Sequence, residues 1–83
     1  MNNQEYAEIR TALVPRVCEE IDTIMGTNGG RERDGDWSKR FLARMDELTA
    51  VAVEDFEKRW KAYEKRAKNM RAEILSETIK AHK

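Results

Sequence analysis

The 83-residue sequence has no long hydrophobic run: no window approaches the 18 consecutive apolar residues that a membrane-spanning helix needs, so no membrane partner is expected. The first residues, Met1-Asn2-Asn3-Gln4-Glu5, do not pair a basic patch with an apolar stretch, so no secretory leader is expected either. Cysteine occurs once, at Cys18, which excludes a disulfide framework within the chain and suits a reducing, cytoplasmic setting. With one proline and four glycines the chain is too poor in turn formers for a small all-β barrel. The hydrophobic share of 40% is too high for a disordered segment.

Catalytic parts are equally scarce. His82 is the one histidine, near the end of the sequence, where it is expected to be exposed and mobile, and Cys18 lies some sixty residues away. Neither a zinc site nor a Cys–His pair has its components, and no cofactor is expected. The loop acids Glu32, Asp34 and Asp36 alternate, but a calcium-loop register begun at Asn28 puts Gly30 at the third position and Lys39 at the twelfth, where a bidentate Glu is required. Gly29-Gly30 is not followed by the Gly-Lys-Ser/Thr of a phosphate loop. Carboxylate pairs such as Glu19-Glu20, Asp46-Glu47 and Glu54-Asp55 lie on faces expected to be solvated, where nothing shifts their pKa toward acid–base work. The expectation is a protein that is not an enzyme.

What is present is helical pattern. Tyr6, Ile9, Leu13, Val17, Ile21 and Ile24 recur at an average of 3.6 residues, with Val14, Cys18 and Met25 widening the stripe. This predicts a helix over about 3–25, capped at Asn2 or Asn3 and kinked or split by Pro15, with Gly26 as its stop. A Gly-rich loop follows at 26–36. Asp36 is the expected cap of a second helix, because from Trp37 onward there is neither Gly nor Pro. The seam Phe41, Met45, Leu48, Ala52, Phe56, Trp60, Tyr63, Ala67, Met70, Ile74 averages 3.67 residues per step, closer to an eleven-residue repeat than to a heptad. One very long helix over about 37–80 is therefore expected, its weakest point at Val51-Ala52-Val53. The fold class is all-α: a single domain over 1–83, a helical hairpin with a kinked N-terminal helix, a Gly-rich loop and one very long C-terminal helix.

Lengths make association the natural expectation. A helix of about 44 residues spans about 66 Å, and the first helix reaches about 35 Å. The apolar tail beyond Trp60 then needs a cover. Either the long helix breaks near 49–54 to make a three-helix bundle, or a second chain supplies that cover; the uninterrupted propensity favours the second, a coiled-coil-like homodimer. A chain this short also buries only somewhat more than about 60% of its unfolded surface, so outside help is expected.

The zero net charge conceals two opposed parts. Residues 1–56 carry 7 basic and 12 acidic groups, five net negative, whereas residues 57–83 carry 9 basic and 4 acidic groups, five net positive. Lys58, Lys61, Lys65 and Lys68 form a stripe beside the seam, with Arg59 and Arg66 on its other flank. Such a stripe keeps a helix solvated, pairs with an acidic surface, or neutralises phosphates. Glu57, Glu64 and Glu73 interrupt it and the isoelectric point is near 6.6, which ranks nucleic acid last. Trp60, Tyr63, Lys61 and Arg59 compose a candidate partner-binding patch, and Trp37, beside the loop, is a second candidate anchor, although core packing is the plainer role of each tryptophan. The functional expectation is a non-catalytic helical protein-binding module, a small inhibitor, adaptor or assembly factor acting on a larger protein, in a format that phage- or plasmid-encoded antagonists of host complexes use. The alternative is a nucleic-acid-binding regulator using the basic stripe at 58–71.

Overall fold

The computed structural model describes residues 1–28, 33–63 and 70–83, with the side chain of Tyr63 left aside. Among the described residues all regular structure is helical, in three elements: α1 (Asn3–Met25), α2 (Gly35–Tyr63) and α3 (Arg71–His82).

The ends of α1 follow from local chemistry. The Asn2 side chain accepts from the Glu5 backbone N–H at 2.8 Å while Glu5 Oε1 accepts from the Asn2 N–H at 3.1 Å, a reciprocal capping box. At the far end Gly26 adopts φ 69°, the left-handed conformation that lets its N–H return to the Asp22 carbonyl. Between them α1 runs through Pro15, which sits on the exposed side. The cap of α2 is Asp34, two residues before the expected Asp36: its Oδ1 accepts from the Trp37 N–H at 3.0 Å.

The expectation of one helix over about 37–80 is corrected. α2 reaches Tyr63, and α3 is a separate helix running back along it. The break does not fall at 49–54 either, for α2 is continuous through Val51-Ala52-Val53, where Thr49 and Ala52 face the interior. Local propensity allows one helix, but burial decides otherwise: folding back puts Ile74, Leu75 and Thr78 into the core, whereas a 12-residue helix left in water is marginal.

Pairwise contacts fix the directions. Asp22 meets Trp37 and Arg10 meets Asp46, so α1 and α2 are antiparallel. Arg71 lies over Trp60 and His82 beside Asp55, so α3 is antiparallel to α2. Glu5 meets Arg71 and Arg16 meets the His82 carbonyl, so α3 is parallel to α1. The body measures 49 × 18 × 16 Å, its length set by α2, whose 29 residues span about 43 Å. α3, about 18 Å long, reaches along one part of that length.

The core consists of Ile9, Leu13, Val17 and Ile21 from α1, Trp37, Met45, Ala52 and Phe56 from α2, and Ile74 and Leu75 from α3. Cys18 packs half-buried against it. The α1 stripe is narrower than its sequence suggests, since Tyr6, Val14 and Ile24 are exposed, Ile24 at 61%. The buried line runs at a spacing of four from Glu5 through Ile9, Leu13, Val17 and Ile21 to Met25, and Tyr6, Val14 and Ile24 each stand one position, about 100°, off it.

Among the described residues two buried side-chain atoms lack a hydrogen-bond partner, Glu20 Oε2, whose other oxygen takes Arg44, and Thr49 Oγ1. Thr49 is 1% exposed and its Oγ1 has no hydrogen-bond partner. Thr49→Val keeps the shape and removes a desolvated hydroxyl, so it is expected to stabilise the fold by about 1 kcal/mol. For a domain of this size that raises the thermal midpoint by about 4–8 °C in a calorimetric scan. An unchanged or lower midpoint would show that the hydroxyl is satisfied in solution.

Candidate binding surface

Among the described residues, those singled out from the sequence do not share one face. Lys58, Arg59, Trp60 and Lys61 share one turn of α2, yet successive positions differ by about 100° and point to different surroundings. Lys58 is exposed and pairs with Glu54 at 3.1 Å, one turn earlier. Arg59 donates through Nε to both oxygens of Asp55 at 3.1 Å. Trp60 is half-buried against the core, with the Arg71 guanidinium 5.0 Å from its ring centroid. Lys61 is exposed. Trp37 belongs to the opposite end of α2, about 34 Å along the axis, and is buried. Lys65, Arg66, Lys68 and the Tyr63 side chain lie outside the described residues.

Three polar constellations are better defined than that patch. At the α1–α2 end, Asp22 accepts from Arg33 Nε (3.1 Å) and Nη2 (2.6 Å), from Thr27 Oγ1 (2.6 Å) and from Trp37 Nε1 (2.8 Å). The Arg33 guanidinium lies 4.3 Å from the centroid of the Trp37 ring, which stacks on Phe41 with centroids 5.1 Å apart. Trp37 is thus held on both faces and at its nitrogen. The Arg33 guanidinium and the Thr27 and Trp37 donors hold the Asp22 carboxyl well below the usual carboxylate range.

At the other end, Arg71 forms a bidentate pair with Glu5, Nε to Oε2 at 2.6 Å and Nη2 to Oε1 at 2.9 Å. Its guanidinium stands 4.9 Å from the Phe56 centroid and 5.0 Å from that of Trp60. The Arg71 hydrogen bonds lower the Glu5 pKa against the opposing effect of burial, and the Asn2 backbone adds to the lowering.

The third constellation secures the C-terminal end of α3. His82 Nε2 lies 2.7 Å from Asp55 Oδ2, and the His82 carbonyl accepts from Arg16 Nη1. The exposed, mobile histidine expected from the sequence is therefore corrected: its side chain is 20% exposed and in contact with α2. The His82 and Arg59 hydrogen bonds lower the Asp55 pKa.

Chemically these groups are engaged in holding the helices together. Asp22 and Asp55 line two open depressions, one with Glu19, Thr23, Gly26 and Thr27, the other with Val51, Glu54, Lys58 and His82. Each carboxylate already accepts several hydrogen bonds at depressed pKa, which makes it a poor general base. Among the described residues no cluster of three or more His, Cys, Asp or Glu side chains is placed to hold a metal ion, and no helix is long and apolar enough to cross a membrane.

An exposed outer face runs along α2. Arg40, Glu47, Glu54 and Lys61 recur every seven residues along it, and Ala43, Ala50 and Val51 lie between them, all exposed. Spaced by heptads, the four charges read basic, acidic, acidic, basic, and the two acids are paired one turn or less away, Glu47 with Arg44 at 3.0 Å and Glu54 with Lys58 at 3.1 Å.

No protein-family model matches this chain, and neither a curated protein nor a solved structure matches it.

The two ends respond to acid in a defined direction. Folded Asp22 and Glu5 titrate below their ordinary values of 3.8 and 4.5, so their pairings stabilise the fold fully above those values and the gain is lost as pH falls below them. The thermal midpoint is expected to drop below about pH 4.5. Asp22→Asn should lower the midpoint at neutral pH and flatten the acid slope; a slope identical to wild type would show that Asp22 carries none of it.

Proposed function

We propose that the chain is a non-catalytic helical protein-binding module, dimeric through a coiled-coil-like association, that acts as a small inhibitor, adaptor or assembly factor by presenting the outer face of α2 to a helix of a larger protein. The observation that carries this reading is the exposed heptad array Arg40, Glu47, Glu54 and Lys61 around Ala43, Ala50 and Val51. Ala43 and Ala50 on one side of the charged line and Val51 on the other leave room for a second helix, and the charges select partner and register. Val51, 55% exposed, is the largest apolar side chain on that face.

The order of the charges favours a different protein on this face over a second copy. Two copies paired antiparallel about the middle of the array set Arg40 against Lys61 and Glu47 against Glu54, and in a parallel in-register pair each residue meets itself. Both symmetric arrangements juxtapose like charges, which is unfavourable. A partner helix with the reverse order, acidic, basic, basic, acidic, is the complementary ligand.

The basic stripe is partly neutralised where it is described. Lys58 is paired with Glu54 and Arg59 with Asp55. Nucleic-acid binding is therefore set as the opposing outcome of the test.

In that test, wild type and Val51→Glu are used as bait against cell extract. The expected result is a protein retained by wild type and lost at least about 10-fold in the variant, with an unchanged melting temperature. Retention of no protein, together with duplex binding that weakens steeply with salt and disappears in a Lys58/Lys61/Lys65/Lys68→Glu variant, would return the nucleic-acid reading. Light scattering checks the self-association separately, against a monomer mass of 9.7 kDa.

A further inference from the structure

The two ends of α3 are fastened alike, each by a basic side chain on a carboxylate of another helix. At its start Arg71 holds both oxygens of Glu5 on α1, at 2.6 and 2.9 Å. At its end the His82 ring lies 2.7 Å from Asp55 on α2. Between the fasteners Ile74, Leu75 and Thr78 are the buried residues. Among the described residues eight of the ten that make up the core belong to α1 and α2, so most of the core does not depend on α3. A helix of 12 residues is marginal in water once undocked, and Met70 gives this one no side-chain cap.

The charges around these two carboxylates are one-sided. Among the described residues, the cations at Glu5 are Arg71 of α3 and the Met1 amine, and Glu57 of α2 acts on both of them. Those at Asp55 are His82 of α3 and Arg59 of α2, with Lys58 and Glu54 lining the same depression. Arg16 of α1 joins them by donating to the His82 carbonyl. As carboxylates, Glu5 and Asp55 balance these cations. Once protonated, they leave Arg71 beside the Met1 amine at one end, and His82, Arg59, Lys58 and Arg16 gathered at the other, with only Glu54 and Glu57 in opposition. An imidazole carries its own proton at that acidity. Attraction then turns to like-charge repulsion at both ends of α3.

Asp22 secures the opposite end of the hairpin without α3. It accepts from Arg33, Thr27 and Trp37, and these donors hold it well below the usual carboxylate range. Glu5 and Asp55 lie below their ordinary values to a smaller extent, through Arg71 and His82 foremost.

We infer that α3 is an acid-released strap: protonation of Glu5 and Asp55 undocks it from α1 and α2, while the hairpin anchored at Asp22 stays folded and the Phe56 and Trp60 rings beneath Arg71 are uncovered. The docking gain is present above the ordinary values of 4.5 for Glu5 and 3.8 for Asp55, and it is lost as pH falls below them, because both groups are lowered in the folded chain. Elements with few buried side chains open ahead of the rest of a fold. The strap is separate from the outer face of α2 and stands whether or not that face binds a partner.

Backbone NMR of the whole chain, with the pH stepped down from neutral to about 2, reads the order of events residue by residue. The carbon shifts of Arg71–His82 are expected to lose their helical offset about one pH unit or more above those of α1 and α2. The Trp60 indole signal is expected to move with α3, and that of Trp37 with the hairpin. Loss of all three helices in one step, or an α3 that keeps its helical shifts throughout, overturns the inference. Glu5→Gln combined with Asp55→Asn imitates protonation at neutral pH, and Gln still closes the capping box with Asn2. That double variant is expected to lose the helical signal of the 12 residues of α3 and no more. An α3 docked in it as in wild type overturns the inference equally, and if the variant does not fold, the wild-type titration decides.

Discussion

The Glu5 carboxylate is where the three helices are joined. One of its oxygens accepts the Asn2 N–H and so closes the start of α1, and both accept the guanidinium of Arg71 and so hold the start of α3. Arg71 in turn lies over Phe56 and Trp60, whose rings belong to α2. A carboxylate that is 8% exposed is tolerated because its charge is compensated by a bidentate partner and a backbone donor. It adds to the burial of Ile74, Leu75 and Thr78 in docking α3, whose N-cap residue Met70 makes no side-chain cap hydrogen bond.

Asp22 performs the corresponding task at the other end. It gathers donors from the α1 C-terminus, the segment before α2 and the first turn of α2, and so fixes the hairpin where α3 does not reach. The two acidic anchors also account for part of the charge asymmetry. Arg71 of the basic part lies on Glu5 of the acidic part, and His82 and Arg59 lie on Asp55. The separation of charge along the sequence is brought together by folding back.

The all-helical class, an asparagine cap at the start of α1 and the Gly26 stop were legible because each is decided within a few residues: a 3.6 period, Asn2 and Asn3 ahead of the first apolar residue, a glycine after the last one. The end of α2 was not legible, because it is decided by Ile74, Leu75 and Thr78 finding a seat on residues distant in sequence. The same holds for the polar sites. Glu5 could be read as a cap residue, but nothing in the sequence couples it to Arg71, 66 residues later, and nothing around Asp22 announces Arg33 and Trp37 as its donors. Trp37 illustrates the ambiguity of single residues. A tryptophan beside a glycine-rich loop suits a partner anchor as well as a core residue, and its buried ring, stacked on Phe41 and covered by Arg33, is what separates the two.

The disagreement between one helix in the sequence and two in the fold is itself informative. Local propensity and tertiary burial usually point the same way, and where they conflict the conflict tends to mark a functional or switching element. Here it is confined to the stretch after Tyr63. Upstream, the helical pattern and the core agree from Met45 to Phe56; downstream, Ile74 and Leu75 are buried as their apolar character requires. Burial of the α3 residues demands a seat antiparallel to α2, and Arg71 and His82 fasten the helix there, one on Glu5 of α1 and the other on Asp55 of α2.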